Sequence, residues 1–189
     1  MNKKEFVTQI PEPGLTRLLF ADTRAAWVWL VCRLYVGWFW LEVGWAKFHD
    51  PLWTGDKAGI AIKGFVSVAL HKTSGAYPDV SSWYAAFLKA VVLPHTAVFS
   101  HLVTYGELMV GIGLVLGAFT GIAAFFGAFM NLSYLFAGAL SVNPLMAFLE
   151  LFLILAWRVA GWFGADRFLL PMTGTPWHPG KFFKKDLQE

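Results

Sequence analysis

Six ionisable side chains stand inside long apolar runs of this chain: Arg33, Glu42, His101, Glu107, Glu150 and Arg158, with the amide of Asn131 among them. A charge at the centre of a membrane helix costs roughly 2.5–3.5 kcal/mol on insertion scales, so it must face a partner or a wet cavity. Charges of this kind mark ligand sites, ion paths or proton relays. Arg33 and Glu107 are of opposite sign and are expected at similar depth, together with Asn131. They are expected to pair, because breaking a buried pair costs about 3–5 kcal/mol. Lys47, His49, His95, His101 and Glu150 are expected in a second layer, nearer one end. Trp40 and Trp53 lie close to that layer and offer flat faces to a planar ligand.

These residues need elements to position them. The apolar runs cover about 25–47, 97–117, 119–142 and 144–164. A membrane span takes roughly 20 mostly apolar residues, so four fit. The chain has 189 residues, 57% of them hydrophobic and 14% charged, against about 25% charged in an average soluble domain. The runs are continuous rather than alternating, which argues against strands. The expected fold is all-α: an integral membrane four-helix bundle with short interfacial helices in its first extracytoplasmic loop. The net charge of +3 is too small to argue for nucleic acid. A secretory signal is not expected, because the first run follows 24 residues rich in charge. Cys32 is the single cysteine. It excludes an internal disulfide or a Cys-x-x-Cys centre, and reads as an inert packing residue. No zinc, haem or dinucleotide spacing is present, so no metal or flavin is expected.

Residues 1–24 read as an N-terminal arm, 25–170 as the membrane domain and 171–189 as a tail. Residues 48–96 form the one long loop. Within it, Asp56–Lys72 has amphipathic helical spacing. Ser81 or Ser82 can cap a second helix that Pro94 then breaks or kinks. These helices are expected on the bundle mouth, as a lid or as plain surface segments. The other connections are short, which forces antiparallel neighbours. Lys3, Lys4, Arg17, Arg24, Arg167, Lys181, Lys184 and Lys185 share one side. The positive-inside rule then places both termini in the cytoplasm of a multi-pass cell-membrane protein.

Helical spacing puts Arg33, Gly37, Trp40, Gly44 and Lys47 on one face, with Glu42 about 180° from Arg33. Thr104 and Gly111 share the face of Glu107. Ala124, Gly127, Ala128, Asn131 and Gly138 make a small-residue face. Asn143, Glu150, Trp157 and Gly161 align on the fourth run, and Arg158 is expected at its inner half. The plain alternative for Arg33 and Glu107 is that they only pin the register of the bundle. For His95 and His101 it is a place at the membrane interface.

Five segments resemble the DoxX/DoxD membrane family. Arg33-Leu-Tyr-Val-Gly37, Gly44-Trp-Ala-Lys47-Phe48 and Pro51-Leu-Trp53-Thr-Gly55 are similar to its first-span signature. Glu107-Leu-Met-Val-Gly111 with Gly117 resembles the second span, and Trp157-Arg-Val-Ala-Gly161 with Asp166-Arg167 the closing motif. The resemblance covers about 25–170. Glu42 and the long loop look closest to the DoxD-like thiosulfate:quinone oxidoreductase branch.

That resemblance implies oxidation of thiosulfate to tetrathionate, with electrons passed to membrane quinone. It also implies a DoxA-like partner subunit. Quinone is then a co-substrate. The chemistry needs cations for a dianion, from Lys47, His49, His95 and His101 with Asn131 beside them. It needs an apolar slot for the quinone, from Trp40, Trp53 and Phe99. It needs proton donors, Glu107 and Glu150, and Arg33 to hold Glu107 or stabilise the quinol oxygen. Other classes stay open: a non-enzymatic subunit docking a soluble redox protein, a small-solute or lipid transporter acting as a homo-oligomer, or a quinone-binding module without turnover.

Overall fold

The structure, a computed structural model, describes residues 13–174. Lys3, Lys4, Lys181, Lys184 and Lys185, which entered the orientation argument, lie outside the described residues. Every element among the described residues is helical. Helix α1 (Gly14–Ala21) leads through a 3-10 turn to α2 (Ala26–Phe48). Then follow α3 (Ile60–His71), α4 (Ser82–Phe87), α5 (Thr96–Leu116), α6 (Thr120–Phe136), α7 (Asn143–Leu155), α8 (Trp157–Ala160) and α9 (Asp166–Thr173). The core is a closed ring in which α2 packs on α5, α5 on α6, α6 on α7, and α7 back on α2.

Each helix of the ring turns small, polar or core residues inward at three- and four-residue spacing. On α2 the buried set is Trp29, Arg33, Val36, Gly37, Trp40 and Gly44, with Ala26 at its start. On α5 it is Ser100, Thr104, Glu107, Val110, Gly111 and Leu114. The outward faces are large and apolar: Trp38 on α2 is 67% exposed, Met109 on α5 73%, Phe129 on α6 60% and Phe148 on α7 57%. The distribution is inverted relative to a water-soluble bundle, with charges inside and bulky hydrocarbon outside.

Two stretches are long and apolar enough to cross a membrane by length and composition: Thr23–Phe48, with 26 residues, and Ser82–Leu116, with 35. The third and fourth runs give shorter helices, α6 of 17 residues and α7 of 13. The third stops because Gly138 turns the chain with φ +71°. The fourth is interrupted at Ala156 before the single turn of α8. Regular α-helix is interrupted at Pro94, the expected break or kink, without a loop. The chain passes from α4 through a π segment (Leu88–Val92) and a 3-10 turn (Leu93–His95) directly into α5. A wider turn accommodates a residue that has no N–H to donate.

Residues 49–95 cap one end of the ring. The cap has its own apolar core, with Ile62, Val66, Ala69, Val80, Tyr84 and Leu88 among its members. It is also tied to α6 by polar bonds. Lys72 Nζ donates to Gly138 O at 2.6 Å, and Tyr84 Oη to Ser133 O at 2.8 Å. Ser81 precedes α4 without a side-chain cap bond. At the opposite, far end, α1 docks through Leu19 and Phe20. Trp29 Nε1 donates to Leu19 O at 2.7 Å, and the Phe20 and Trp29 rings stack at 5.6 Å. The arm thus includes a packed helix just ahead of α2.

Candidate functional site

Glycines set the register of α2 against α5. A β-carbon at Gly37 would lie 3.0 Å from Val115 N, one at Gly44 3.0 Å from Leu108 N, and one at Gly111 2.8 Å from Leu41 N. Three close approaches in antiparallel order fix the pairing. They put Lys47 beside Glu107 and Arg33 beside the end of α5. The expected Arg33–Glu107 pair therefore does not form; the two lie about two helical turns apart along α5. Centring each apolar run separately placed them at one depth, whereas the glycine contacts decide the actual sliding of one helix along the other.

At the far end, the buried Arg33 guanidinium closes the C terminus of α5. Nη1 donates to Leu114 O at 2.5 Å and Val115 O at 2.8 Å, and Nη2 to Phe163 O at 2.9 Å. A cation there satisfies orphan carbonyls and the negative end of the helix dipole. Asp166 makes the mirror arrangement at the start of α6. Its carboxylate accepts from Phe119 N at 2.6 Å and Thr120 N at 2.9 Å, and it interacts favourably with Arg33. Phe119 holds φ +49°, a conformation that L side chains rarely adopt. The turn between α5 and α6 is thus clamped by one cation and one anion.

Closer to the cap, Lys47 Nζ forms an ion pair with Glu107 Oε1. Tyr134 Oη on α6 donates to the same oxygen at 2.8 Å. Glu107 is 1% exposed, while the Lys47 side chain is 21% exposed and reaches the cap. The Trp53 ring of the cap covers the ammonium, with Nζ 4.6 Å from its centroid. Such cation–π contacts contribute about 0.5–2 kcal/mol. Glu107 Oε2 has no hydrogen-bond partner among the described residues. One turn away on α6, Asn131 Nδ2 donates to Glu150 Oε2 at 2.7 Å, and Trp40 Nε1 donates to Glu150 Oε1 at 2.5 Å. Glu150 is fully buried with these two neutral donors.

The remaining candidates are dispersed. His49 lies two residues beyond Lys47, roughly 200° around the helix, and lies exposed against Trp45, with ring centroids 4.4 Å apart and the rings tilted at 53°. His95 is exposed and bonds Val91 O at 3.0 Å. His101 lies against Tyr105, with ring centroids 5.9 Å apart. These imidazoles sit on three separate elements, His49 just past the end of α2, His95 in the 3-10 turn and His101 on α5. Trp40 belongs to the ring core, while Trp53 and Phe99 pack on the cap core. Glu42 is exposed on the far side of α2 from Arg33, as helical spacing requires. Cys32 is half-buried and unpaired as a thiol. Among the described residues no three His, Cys, Asp or Glu side chains gather as metal ligands would.

Two members of the site escaped the sequence reading. Tyr134 follows Asn131 by three residues and so shares its face, a signal that was available. The capping role of Asp166 had no such signal, since it depends on a contact across 46 residues of chain.

No curated protein and no solved structure matches this chain. A family model described as DoxX matches residues 28–140. That stretch carries Arg33, Trp40, Lys47, Glu107, Asn131 and Tyr134, and leaves Glu150 and Asp166 outside it. Family membership and the apolar helices together mark a membrane protein. With more than half of its length matched, the chain belongs to the DoxX family.

Proposed function

We propose that α2, α5, α6 and the α7–α8 pair are four spans of a cell-membrane protein, with both termini in the cytoplasm and the cap outside. The inverted distribution of charge and hydrocarbon supports this, as does the basic bias of the terminal side. Cysteine labelling of intact cells tests it: label should reach a cysteine at Tyr77, in the cap, and not one at Arg167.

Within that frame the chain is a DoxD-like thiosulfate:quinone oxidoreductase, or its membrane subunit working with a DoxA-like partner. The observation that carries this reading is the Lys47–Glu107–Tyr134 cluster under the Trp53 ring. It supplies what a quinone head group needs: cation and phenol donors for a carbonyl oxygen, an acid to deliver a proton, and an aromatic plate. Two thiosulfates and one quinone, with two protons, give tetrathionate and quinol. One thiosulfate sulfur attacks the quinone ring. A second thiosulfate attacks the bound sulfur and forms the S–S bond, and the electron pair of the breaking bond leaves with the quinol. Glu107, a carboxylate at rest beside Lys47, takes up a proton and delivers it as the first of the two. Glu150 on α7, held by Asn131 one turn from Tyr134 along α6, is the second acid. Arg33, engaged by helix ends, acts as a structural clamp.

The test is turnover by the purified protein with thiosulfate and a water-soluble quinone, without added flavin, haem or metal. Tetrathionate and quinol in equal amounts support the reading. No turnover, even with a DoxA-like partner supplied, overturns it in favour of a docking subunit.

A further inference from the structure

Glu107 is the last of a line of buried oxygens on one face of α5. Ser100 and Thr104 are 0% exposed and Glu107 is 1% exposed. Ser100 Oγ, Thr104 Oγ1 and Glu107 Oε2 all lack a hydrogen-bond partner among the described residues, as does His101 Nδ1 next to Ser100. A hydroxyl in a helix can bond back to the carbonyl one turn earlier. Neither Ser100 nor Thr104 does so. Each orphan of this kind is destabilising if it stays dry, and three in a row on one stripe need a common cause.

Spacing supplies one. Residues four and three apart on a helix differ in height by roughly 6 and 4.5 Å. One water bridges two oxygens up to about 5.6 Å apart. The step from Thr104 to Glu107 is thus one water long, and the longer step from Ser100 to Thr104 takes one or two. The line begins where α5 meets the cap, with Gly59 packed against Thr96 and Ala97. We propose that Ser100, Thr104 and Glu107 Oε2 hold a file of single waters that links Glu107 to the aqueous phase at the cap. Lys47 and Tyr134 hold the other carboxylate oxygen, so Oε2 is the one left to face the file. Where the quinone reading holds, on which this last step rests, the file resupplies Glu107 with protons from the cap side.

Water-edited solid-state NMR of the full chain in lipid bilayers tests the file without quinone or thiosulfate, so its failure is separate from failure of the oxidoreductase reading. The Glu107 Cδ signal should build up from water protons far faster than carbons of buried Leu114. Lys47 offers a second route for water protons, so the deciding variant is Thr104→Val. It should slow the build-up at Glu107 roughly tenfold, the equivalent of losing one bridging hydrogen bond, and Thr104→Ser should restore it. Thr104→Val should also lower the melting temperature. Ser100→Ala gives an independent slowing should Thr104→Val fail to fold. Build-up at Glu107 no faster than at Leu114, build-up unchanged in Thr104→Val or Ser100→Ala, or a higher melting temperature on removing the Thr104 hydroxyl would overturn the file.

Discussion

The two ends of α5 use charge in opposite ways. At the far end, Arg33 and Asp166 spend their hydrogen bonds on backbone, three carbonyls for one and two amides for the other. Arg33 Nε alone of that guanidinium's nitrogens has no hydrogen-bond partner among the described residues, and removing either group exposes helix ends. Toward the cap, Lys47, Glu107 and Tyr134 bond one another through side chains. One carboxylate oxygen there is left over, and the cation is in reach of the cap. The residues that look most alike in sequence, charges stranded in apolar helices, therefore divide into a clamp and a proposed working site. Charge within a span is a reason to look for function, and the partner decides whether the function is chemical or structural.

Breaking the working pair should have the largest effect. Lys47→Met should cost about 3–5 kcal/mol by stranding a buried carboxylate, and Glu107→Gln added to it should recover part of the loss. The melting cycle of Arg33→Met with Glu107→Gln should be additive, because the two share no contact. Coupling in that second cycle would erase the division drawn above. Next comes the clamp. Asp166→Ala removes two charge-assisted bonds to Phe119 N and Thr120 N, and should cost about 3 kcal/mol in thermal melts. Tyr134→Phe should cost about 1.5 kcal/mol, one bond to a charged acceptor, which a melting scan also reads.

The smallest effect lies outside both regions. Arg24, through its side-chain and backbone hydrogen bonds, holds the Asp22 carboxyl below the usual carboxylate range. A carboxyl with a depressed value contributes stability above its unfolded value and loses it as pH falls through the folded one. An NMR titration should show the Asp22 value rising in Arg24→Ala, with little change in melting at neutral pH, since the pair is exposed.

Much of this architecture was legible in the sequence. The face from Arg33 to Lys47 follows from residue spacing alone, and α2 and α5 end within a residue of the limits that hydropathy gives. What the sequence hid was lateral. Gly37, Gly44 and Gly111 are visible as small residues, but which side chain each one meets depends on the packed pair. That pairing moved Glu107 from Arg33 to Lys47. The interruption at Ala156 was hidden too, because neither Pro nor Gly marks it. The gathering of His49, His95 and His101 was expected from their nearness to one end, which carries no information about the faces they occupy.

On the proposed function, the Lys47–Glu107 end does the chemistry and the Arg33–Asp166 end does not. Steady-state turnover of thiosulfate with a soluble quinone, compared between Glu107→Gln and Asp166→Asn, tests it most directly. Glu107→Gln should lower kcat by about 10²–10⁴-fold, as loss of a positioned proton donor does, with little change in the KM for thiosulfate. Asp166→Asn should melt earlier yet keep the wild-type kcat below its melting temperature. A folded Glu107→Gln protein with wild-type kcat, or a folded Asp166→Asn protein with equal loss, would contradict the account.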